Sequence, residues 1–228
     1  MTKIENLISK TKAVLTTELA SANRISRWHS ACAFRDRAFY IIGGFAQTRT
    51  GTFGNYMLGK GITGNTKIVQ RFDLTSTEIQ DAPGLNEARN GAGSFEMNGM
   101  IYIVGGTVDG KVHTASIERL NVLNGATAWE TLHLPEMTAR TGAMVSPLNE
   151  DTFLIAGGAQ EETLLKDAIV VRVSEEGLSG FVAKTGTMEH DLGFRVRGGT
   201  VNMLPLLPGQ VIGIAGEGKI VVKFDMLG

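Results

Sequence analysis

Paired glycines that follow short apolar runs recur along this sequence and restrict its fold more than any other feature. Three runs end in Gly-Gly, and a fourth, weaker copy has Glu217 in place of the second glycine; the four segments are 39–44, 101–106, 152–158 and 211–217. The first glycines, at positions 43, 105, 157 and 216, are 62, 52 and 59 residues apart. Because flexible loops would not recur at such spacing after apolar runs, the pattern indicates an internal structural repeat.

Two further features recur in phase with the glycines. An arginine that leads a stretch of small residues precedes each pair, and the four copies are Arg27, Arg89, Arg140 and Arg197. After each pair come a variable loop and an alternating segment, at 68–73, 116–121, 168–173 and 220–225. Alternation broken by Gly, Asn, Pro or Asp predicts four short strands in each unit.

The second unit carries the fullest set of these features. It contains Ala88-Arg89, then 97–102, the glycine pair, Trp129 and the closing segment 134–137. This set resembles the kelch family closely over residues 87–137, and the resemblance extends more loosely over 12–228. Units 1 and 3 lack the tryptophan and have Glu78-Ile79 and Phe181-Val182 in that region.

The resemblance implies an all-β fold, a kelch-type β-propeller of about four four-stranded blades. We expect a single domain over 1–228, with blades at approximately 24–85, 86–137, 138–190 and 191–228. A lone four-stranded sheet cannot bury both of its faces, so neighbouring blades would pack around an axis. The glycine pairs would lie near that axis, where a Cβ atom would crowd the adjacent blade.

The fourth unit has three strand-like segments, and we expect the N-terminal region to supply the missing outer strand. Residues 12–19 stand in the same phase as 128–134, and their pairing would close the ring and cover open strand edges. An amphipathic helix over residues 3–20 is the alternative, because Ile4, Ile8 and Leu15 nearly follow a helical stripe. Two chains forming a larger ring, or an open arc completed by a partner, also remain alternatives.

Composition narrows the class of protein. Apolar residues make up 43% of 228 residues, and 22 Lys+Arg against 23 Asp+Glu give a net charge of −1. This balance argues against a nucleic-acid partner and against polybasic attachment to a membrane. The single cysteine, Cys32, favours a reducing compartment, and no apolar run is long enough to span a membrane. We therefore expect a soluble cytoplasmic protein.

No specific catalytic or metal-binding pattern emerges from the sequence, and we expect no cofactor. The four histidines, at 29, 113, 133 and 190, have no metal-ligand spacing, and Cys32 has no companion ligand. Two kelch-like enzyme classes offer comparisons. Galactose oxidase-like proteins need copper ligands from Tyr, His and Cys, whereas two of the three tyrosines here lie in strand motifs. Sialic-acid mutarotase-like propellers use Arg, Glu and His around a central channel.

The recurrent arginines therefore have two interpretations. Arg27, Arg89, Arg140 and Arg197 are candidate ligand or partner contacts. The alternative is a structural role, in which the fixed fork of guanidinium donors bonds neighbouring loops.

The loop after the first glycine pair is the outlier of the repeat. Residues 45–66 are about twice as long as the matching loops in units 2 and 3, and long insertions on rigid scaffolds often bind partners. Arg49, Phe53, Tyr56 and Met57 in this loop have the composition of an interface hot spot. Folding back to cover a blade is the alternative role.

These features favour a non-catalytic scaffold or adaptor, such as a subunit of a large cytoskeletal or other assembly, that binds another protein through propeller-face loops. Homo-oligomerisation is a further option. The alternative is a small carbohydrate-acting enzyme or a lectin-like protein that uses the central channel. Fold resemblance alone does not decide between these functions.

Overall fold

A computed structural model describes residues 25–28, 31–35, 37–48, 63–76, 79–108, 111–182, 203–207, 210–215 and 220–225. These residues form an all-β structure, and none of them lies in a helix. None of them belongs to a helix long and apolar enough to cross a membrane. The expected closing strand at 12–19 lies outside the described residues.

The strands are numbered in chain order. The first eleven are β1 Ile25–Trp28, β2 Ala31–Arg35, β3 Ala38–Ile42, β4 Phe45–Thr48, β5 Thr63–Asn65, β6 Val69–Asp73, β7 Ile79–Ala82, β8 Gly93–Met97, β9 Met100–Val104, β10 Thr107–Val108 and β11 Val112–His113. The others are β12 Ile117–Asn121, β13 Glu130–Leu132, β14 Met144–Pro147, β15 Thr152–Ala156, β16 Ala159–Gln160, β17 Thr163–Leu164, β18 Ala168–Ser174, β19 Gly177–Val182, β20 Met203–Leu207, β21 Gln210–Ala215 and β22 Ile220–Asp225.

Within the described residues, four antiparallel sheets follow one another along the chain, and three shorter strand groupings, β1-β4-β5, β10-β11 and β16-β17, accompany them. Sheet 1 has the order β2-β3-β6-β7, sheet 2 β8-β9-β12-β13, and sheet 3 β14-β15-β18-β19. Sheet 4 has β20-β21-β22 among the described residues. The first strands of consecutive sheets are neighbours, since β2 lies beside β8, β8 beside β14, and β14 beside β20. The sheets therefore stack side by side in chain order.

In sheet 2, alternate side chains of one strand are buried on opposite faces of the sheet. Ile101 and Ile103 belong to a core shared with sheet 1, whereas Tyr102 and Val104 belong to a core shared with sheet 3. All four side chains are buried. Alternate residues of a strand point to opposite faces, so a continuous apolar run such as 101–104 is required where both faces are covered.

The glycine pairs end the second strand of sheets 1, 2 and 3, immediately after Ile42, Val104 and Ala156. The first glycines have φ values of +58, +64 and +61° and the second +96, +101 and +92°. A Cβ on Gly43 would lie 2.7 Å from the carbonyl oxygen of Arg89 in the next sheet, and one on Gly105 2.5 Å from that of Arg140. The expectation that a Cβ here would crowd the adjacent sheet is confirmed, and the positive φ values add a second requirement for glycine.

The hairpins at the other end of the sheets differ in their turn residues. Between β8 and β9, Asn98 and Gly99 have φ values of 51 and 78°, as a tight two-residue turn requires. Between β2 and β3, Arg37 adopts φ 62° in the corresponding place. A left-handed conformation costs an arginine more than a glycine, so sheet 1 holds this turn against its local preference.

Candidate partner-binding face

A short antiparallel ribbon follows each of the three described glycine pairs, and in the first one β1 adds a third strand beside β4. Ribbon 1 is β4-β5, which pairs Phe45 with Asn65; ribbon 2 is β10-β11, which pairs Thr107 with His113; ribbon 3 is β16-β17, which pairs Ala159 with Leu164. Each ribbon leaves its sheet at the end where the glycine pair lies. We call the surface formed by the three ribbons the ribbon face.

The ribbons differ in the length of their tips. Residues 161–162 connect the strands of ribbon 3, and residues 109–111 connect those of ribbon 2. In ribbon 1 the connection runs from 49 to 62. The long loop noted in the sequence is therefore an insertion at the tip of a ribbon that the neighbouring units also possess.

The base of ribbon 1 is fixed to the base of ribbon 2 and to the segment before β8 by three residues that bond in a closed cycle. The Nδ2 of Asn65 donates to the main-chain oxygen of Thr107 over 2.6 Å, and the Nδ2 of Asn90 donates to the Oδ1 of Asn65. The Thr107 hydroxyl donates to the Oδ1 of Asn90 over 2.9 Å. Because each amide uses both its donor and its acceptor, the cycle holds all three side chains in one geometry.

Ribbons 2 and 3 are also joined to each other. The backbone N–H of Glu161 donates to the Nδ1 of His113 over 3.0 Å, which requires that this nitrogen carry no proton. Glu161 has φ +53°, an uncommon value for a residue with a side chain. The hydrogen bond is one of the contacts that hold the tip of ribbon 3 in this conformation.

Each buried arginine ties two sheets together. The Nη1 of Arg89 donates to the carbonyl oxygen of Gly105 in its own sheet over 3.0 Å, and the Nη1 of Arg140 donates to that of Gly157 over 3.0 Å. The carbonyl oxygen of Arg89 accepts from the Gly44 N–H of the preceding sheet over 2.8 Å, and that of Arg140 accepts from Gly106 over 2.8 Å. The same set of hydrogen bonds between an arginine and two glycine pairs, which we call the arginine joint, thus recurs in consecutive repeats.

The acidic partners of the two arginines differ. Glu118 is fully buried beside Arg89, at 2.5 Å, and also accepts from the backbone N–H groups of Asn86 and Glu87. Asp167 accepts from both terminal nitrogens of Arg140, at 2.9 and 2.7 Å, and its side chain is 27% exposed. Charged hydrogen bonds of this kind satisfy guanidinium groups that would otherwise be costly to bury.

The predicted site residues are distributed unevenly over the structure. Arg89 and Arg140 are 1% and 0% exposed, and the structural donor role considered for them is the one their hydrogen bonds fulfil. Arg27 lies on β1, which pairs with β4 of ribbon 1, and its side chain is not among those described. The others, Arg49, Phe53, Tyr56, Met57 and Arg197, lie outside the described residues and stay predictions.

The described tips of ribbons 2 and 3 are exposed and carry mixed charge. Val112 is 58% exposed, and Lys111 lies beside it. Glu161 and Glu162 form the exposed tip of ribbon 3. Among the described residues, no group of three or more His, Cys, Asp and Glu side chains is placed to hold a metal ion. The ribbon tips therefore offer apolar and charged contact surface.

Sequence reasoning missed both the ribbons and the acidic partners of the arginines. The segment 107–113, with Asp109-Gly110 between two valines, carries a hairpin signal that predicts ribbon 2. Glu118 and Asp167 lie in or just before the third strand of their repeats, but alternation alone does not show which carboxylate reaches an arginine.

Comparison with solved structures finds similar folds, and no comparison gives a family. No family model matches the sequence, and no curated protein matches it. The structure resembles many solved chains, among them a protein named YjhT, which superposes with a TM-score of 0.62 at 12% sequence identity. The match covers 82% of this chain and 58% of the YjhT chain, so this chain spans little more than half the length of YjhT. At this identity the likeness shows the fold alone, an all-β arrangement of antiparallel sheets.

Proposed function

We propose that the four sheets are blades of a kelch-type β-propeller, the fold that the glycine repeat resembles. The side-by-side order of β2, β8, β14 and β20 supports this proposal, as do the two buried faces of sheet 2. The recurrent joint between a glycine pair and the next arginine supports it as well. In this proposal residues 12–19 complete the fourth blade and close the ring.

We further propose that the protein is a non-catalytic scaffold or adaptor that binds another protein through the ribbon face. The observation that carries this proposal is the insertion at 49–62, which extends from a ribbon whose counterparts turn within two or three residues. Long insertions on a rigid framework are a usual place for binding residues.

The anchoring of ribbon 1 makes such an insertion suitable for binding. Asn65 fixes the base of β5 to Thr107 and Asn90, and the pairing of β4 with β5 holds together the two strands from which the insertion extends. A fixed base lowers the entropy that a binding loop loses when its partner docks. Phe53, Tyr56 and Met57 would supply the buried contacts, and Arg49 would supply a charged one.

The buried arginines have a supporting part in this function. Arg89 and Arg140 are inaccessible to a partner, and they hold the ends of the sheets from which ribbons 2 and 3 leave. The proposal therefore assigns direct contact to the insertion and to the exposed ribbon tips.

Affinity capture with two forms of the full chain tests the proposal. In one form residues 49–62 are replaced by a short Gly-Ser turn of the length found in ribbon 3; the other is wild type. A matched control carries Leu74→Ser, which changes a 44% exposed apolar side chain at the opposite end of sheet 1. Circular dichroism and melting establish that all three are folded.

The expected result is one protein that wild type and the Leu74→Ser control capture and the loop variant does not. That protein, purified alone, must then bind wild type directly. If folded wild type captures no protein that also binds in the purified system, the scaffold function is wrong. The next screen would then test binding of sugars and small acids.

A further inference from the structure

Three Asn-Gly pairs occur in this chain, and the structure places them in three different environments. They are Asn90-Gly91, Asn98-Gly99 and Asn124-Gly125. In such a pair the backbone nitrogen of glycine can attack the asparagine side-chain amide, because glycine has no Cβ to hinder the approach. Whether the reaction proceeds depends on the freedom of both groups, which the structure shows for each pair.

Asn90 is half-buried at the base of ribbons 1 and 2. Its amide belongs to the cycle with Asn65 and Thr107, in which both its nitrogen and its oxygen are bonded. Gly91 is buried, and its carbonyl oxygen accepts from the Gly142 N–H over 2.8 Å and from the Thr141 hydroxyl over 3.1 Å. The Asn90 amide cannot reorient without opening its cycle with Asn65 and Thr107, and the backbone of Gly91 cannot move without breaking the hydrogen bonds to its carbonyl oxygen.

Asn98 is exposed, but the reacting groups of this pair are occupied. The N–H of Gly99, which would have to attack, donates to the carboxylate of Glu96 over 2.6 Å. The side-chain nitrogen of Asn98 donates to the carbonyl oxygen of Glu150 over 2.6 Å. Leu123 also covers Gly99, because it occupies the place where a Cβ on Gly99 would lie. Reaction here requires that the charged hydrogen bond to Glu96 be broken first.

Asn124 has none of these restraints within the described part of the chain. It is exposed in the turn after β12, its backbone N–H donates to the Oδ1 of Asn121 over 3.2 Å, and no hydrogen bond of its side-chain amide is seen there. Gly125 is exposed with φ +66°, and a Cβ placed on it would meet nothing within 4 Å. Both the side-chain amide and the attacking nitrogen are therefore free to approach each other.

We propose that Asn124-Gly125 is a site of spontaneous deamidation and isoaspartate formation in the folded protein, whereas the other two Asn-Gly pairs are protected. The Gly125 nitrogen loses its proton and bonds to the Cγ of Asn124, and the side-chain nitrogen leaves as ammonia. Water then opens the cyclic imide at either carbonyl, which gives aspartate or isoaspartate at 124. The net change is the replacement of NH₂ by OH, with one added negative charge at neutral pH.

The negative charge that deamidation adds is confined to one end of sheet 2. The turn lies after β12, which starts beside ribbon 2 and ends at Asn121, where it pairs with the other end of β9. The new charge therefore appears at the end of sheet 2 away from the ribbon face. This inference is independent of the proposed partner binding, and Asn124→Asp should capture the same partner as wild type.

Peptide mapping by mass spectrometry after incubation of the purified full chain at mildly alkaline pH tests the proposal. The three sites are followed in one sample, and an isoaspartate-specific methyltransferase reports the isomer. Because a charged hydrogen bond must be broken at Asn98, we expect Asn124 to react at least about tenfold faster than Asn98, and Asn90 to be slower still. Equal rates at Asn124 and Asn98 would overturn the proposal.

Two variants test the cause of the difference. Gly125→Ala should slow the reaction at position 124, because the added methyl group hinders attack. The methyl group meets no neighbour, but the φ of +66° strains an alanine there, so the melting temperature of this variant is measured alongside its rate. Glu96→Ala should accelerate the reaction at Asn98 by releasing the Gly99 N–H. Asn90 serves as the internal reference for unfolding. If the rate at Asn98 rises no more than the rate at Asn90, Glu96 is not the protecting group.

Discussion

The junction between sheets 1 and 2 and the junction between sheets 2 and 3 fill the same position in the repeat with different side chains. The second junction contains an aromatic cluster, in which the rings of Phe95, Tyr102 and Phe153 lie 4.8 to 5.7 Å apart. The first junction contains small apolar residues such as Ala33, Ala38 and Ala92, together with aliphatic side chains and the aromatic residues Tyr40 and Trp129.

Polar ties accompany the smaller side chains of the first junction. Arg35 of β2 forms an ion pair with Glu96 of β8. The Nε1 of Trp129 donates to the carbonyl oxygen of Pro83 over 2.6 Å, and the Nδ2 of Asn86 donates to that of Trp129 over 2.9 Å. The hydrogen bonds of the glycine pairs and arginines therefore recur, whereas one junction adds an ion pair and side-chain hydrogen bonds and the other adds a cluster of three rings.

The largest difference in the free energy of unfolding is expected between variants that remove the acidic partners of the two arginines. Glu118→Ala should destabilise the protein by about 3–5 kcal/mol, because it leaves the buried Arg89 with the half-exposed Glu87 as its remaining acidic partner. Asp167→Ala should cost less, about 1–2 kcal/mol, since water can reach the place of a 27% exposed carboxylate. Urea unfolding followed by tryptophan fluorescence measures both. A larger cost for Asp167→Ala would contradict this account of the joints.

The aromatic cluster of the second junction should show direct coupling between its rings. A double-mutant cycle with Phe95→Leu and Phe153→Leu should give a coupling energy of about 0.5–1.5 kcal/mol beyond the loss of buried area. Since the interaction is not ionic, the coupling should be the same at low and high salt. Strictly additive effects would mean that the rings merely fill space.

The ion pair of the first junction should behave differently in the same measurement. A cycle with Arg35→Ala and Glu96→Ala should give about 0.5–1 kcal/mol at low salt, because the side chains are 24% and 21% exposed. Added salt should weaken this coupling. If the two cycles responded alike to salt, the polar and aromatic junctions would not be distinct in kind.

The smallest effect on stability is expected at the turns that follow the third strands of sheets 1 and 2. The Asp73 carboxylate accepts from the N–H groups of Thr75 and Ser76, and these bonds hold the pKa of Asp73 below its usual 3.8. In sheet 2 the corresponding acceptor is the neutral amide of Asn121. Asp73→Asn should keep the turn and change stability little at neutral pH.

The pH dependence of stability distinguishes an aspartate from an asparagine at position 73. A lowered folded pKa gives stability that is present above the usual value and is lost as the pH falls through the lowered one. Wild type should therefore lose stability relative to Asp73→Asn as the pH falls below 3.8. Melting temperatures of both proteins across this range measure the effect, and parallel curves would contradict it.

The second and third strands of the sheets could be predicted closely from the sequence. The expected segments at 116–121 and 220–225 correspond to β12 Ile117–Asn121 and β22 Ile220–Asp225. Alternation specifies a strand because its period of two is local, and a glycine pair specifies where the strand ends. These features depend on neighbours along the chain.

The partners across the junctions could not be predicted in the same way. Asn65, Asn90 and Thr107 are separated by tens of residues, and their hydrogen-bond cycle exists because two sheets lie side by side. Likewise, the sequence offers several carboxylates near each arginine, and the fold selects Glu118 and Asp167. Contacts of this kind depend on the register between repeats, which no local pattern contains.

Site-specific photo-crosslinking tests the proposed binding face most directly. A photoreactive residue would replace Val112 on ribbon 2 or Leu123 at the opposite end of sheet 2, two side chains that are 58% and 63% exposed. The account predicts a covalent adduct with one protein from position 112 and none from position 123. An adduct from position 123 alone, or the same adduct from both, would contradict the assignment of the ribbon face.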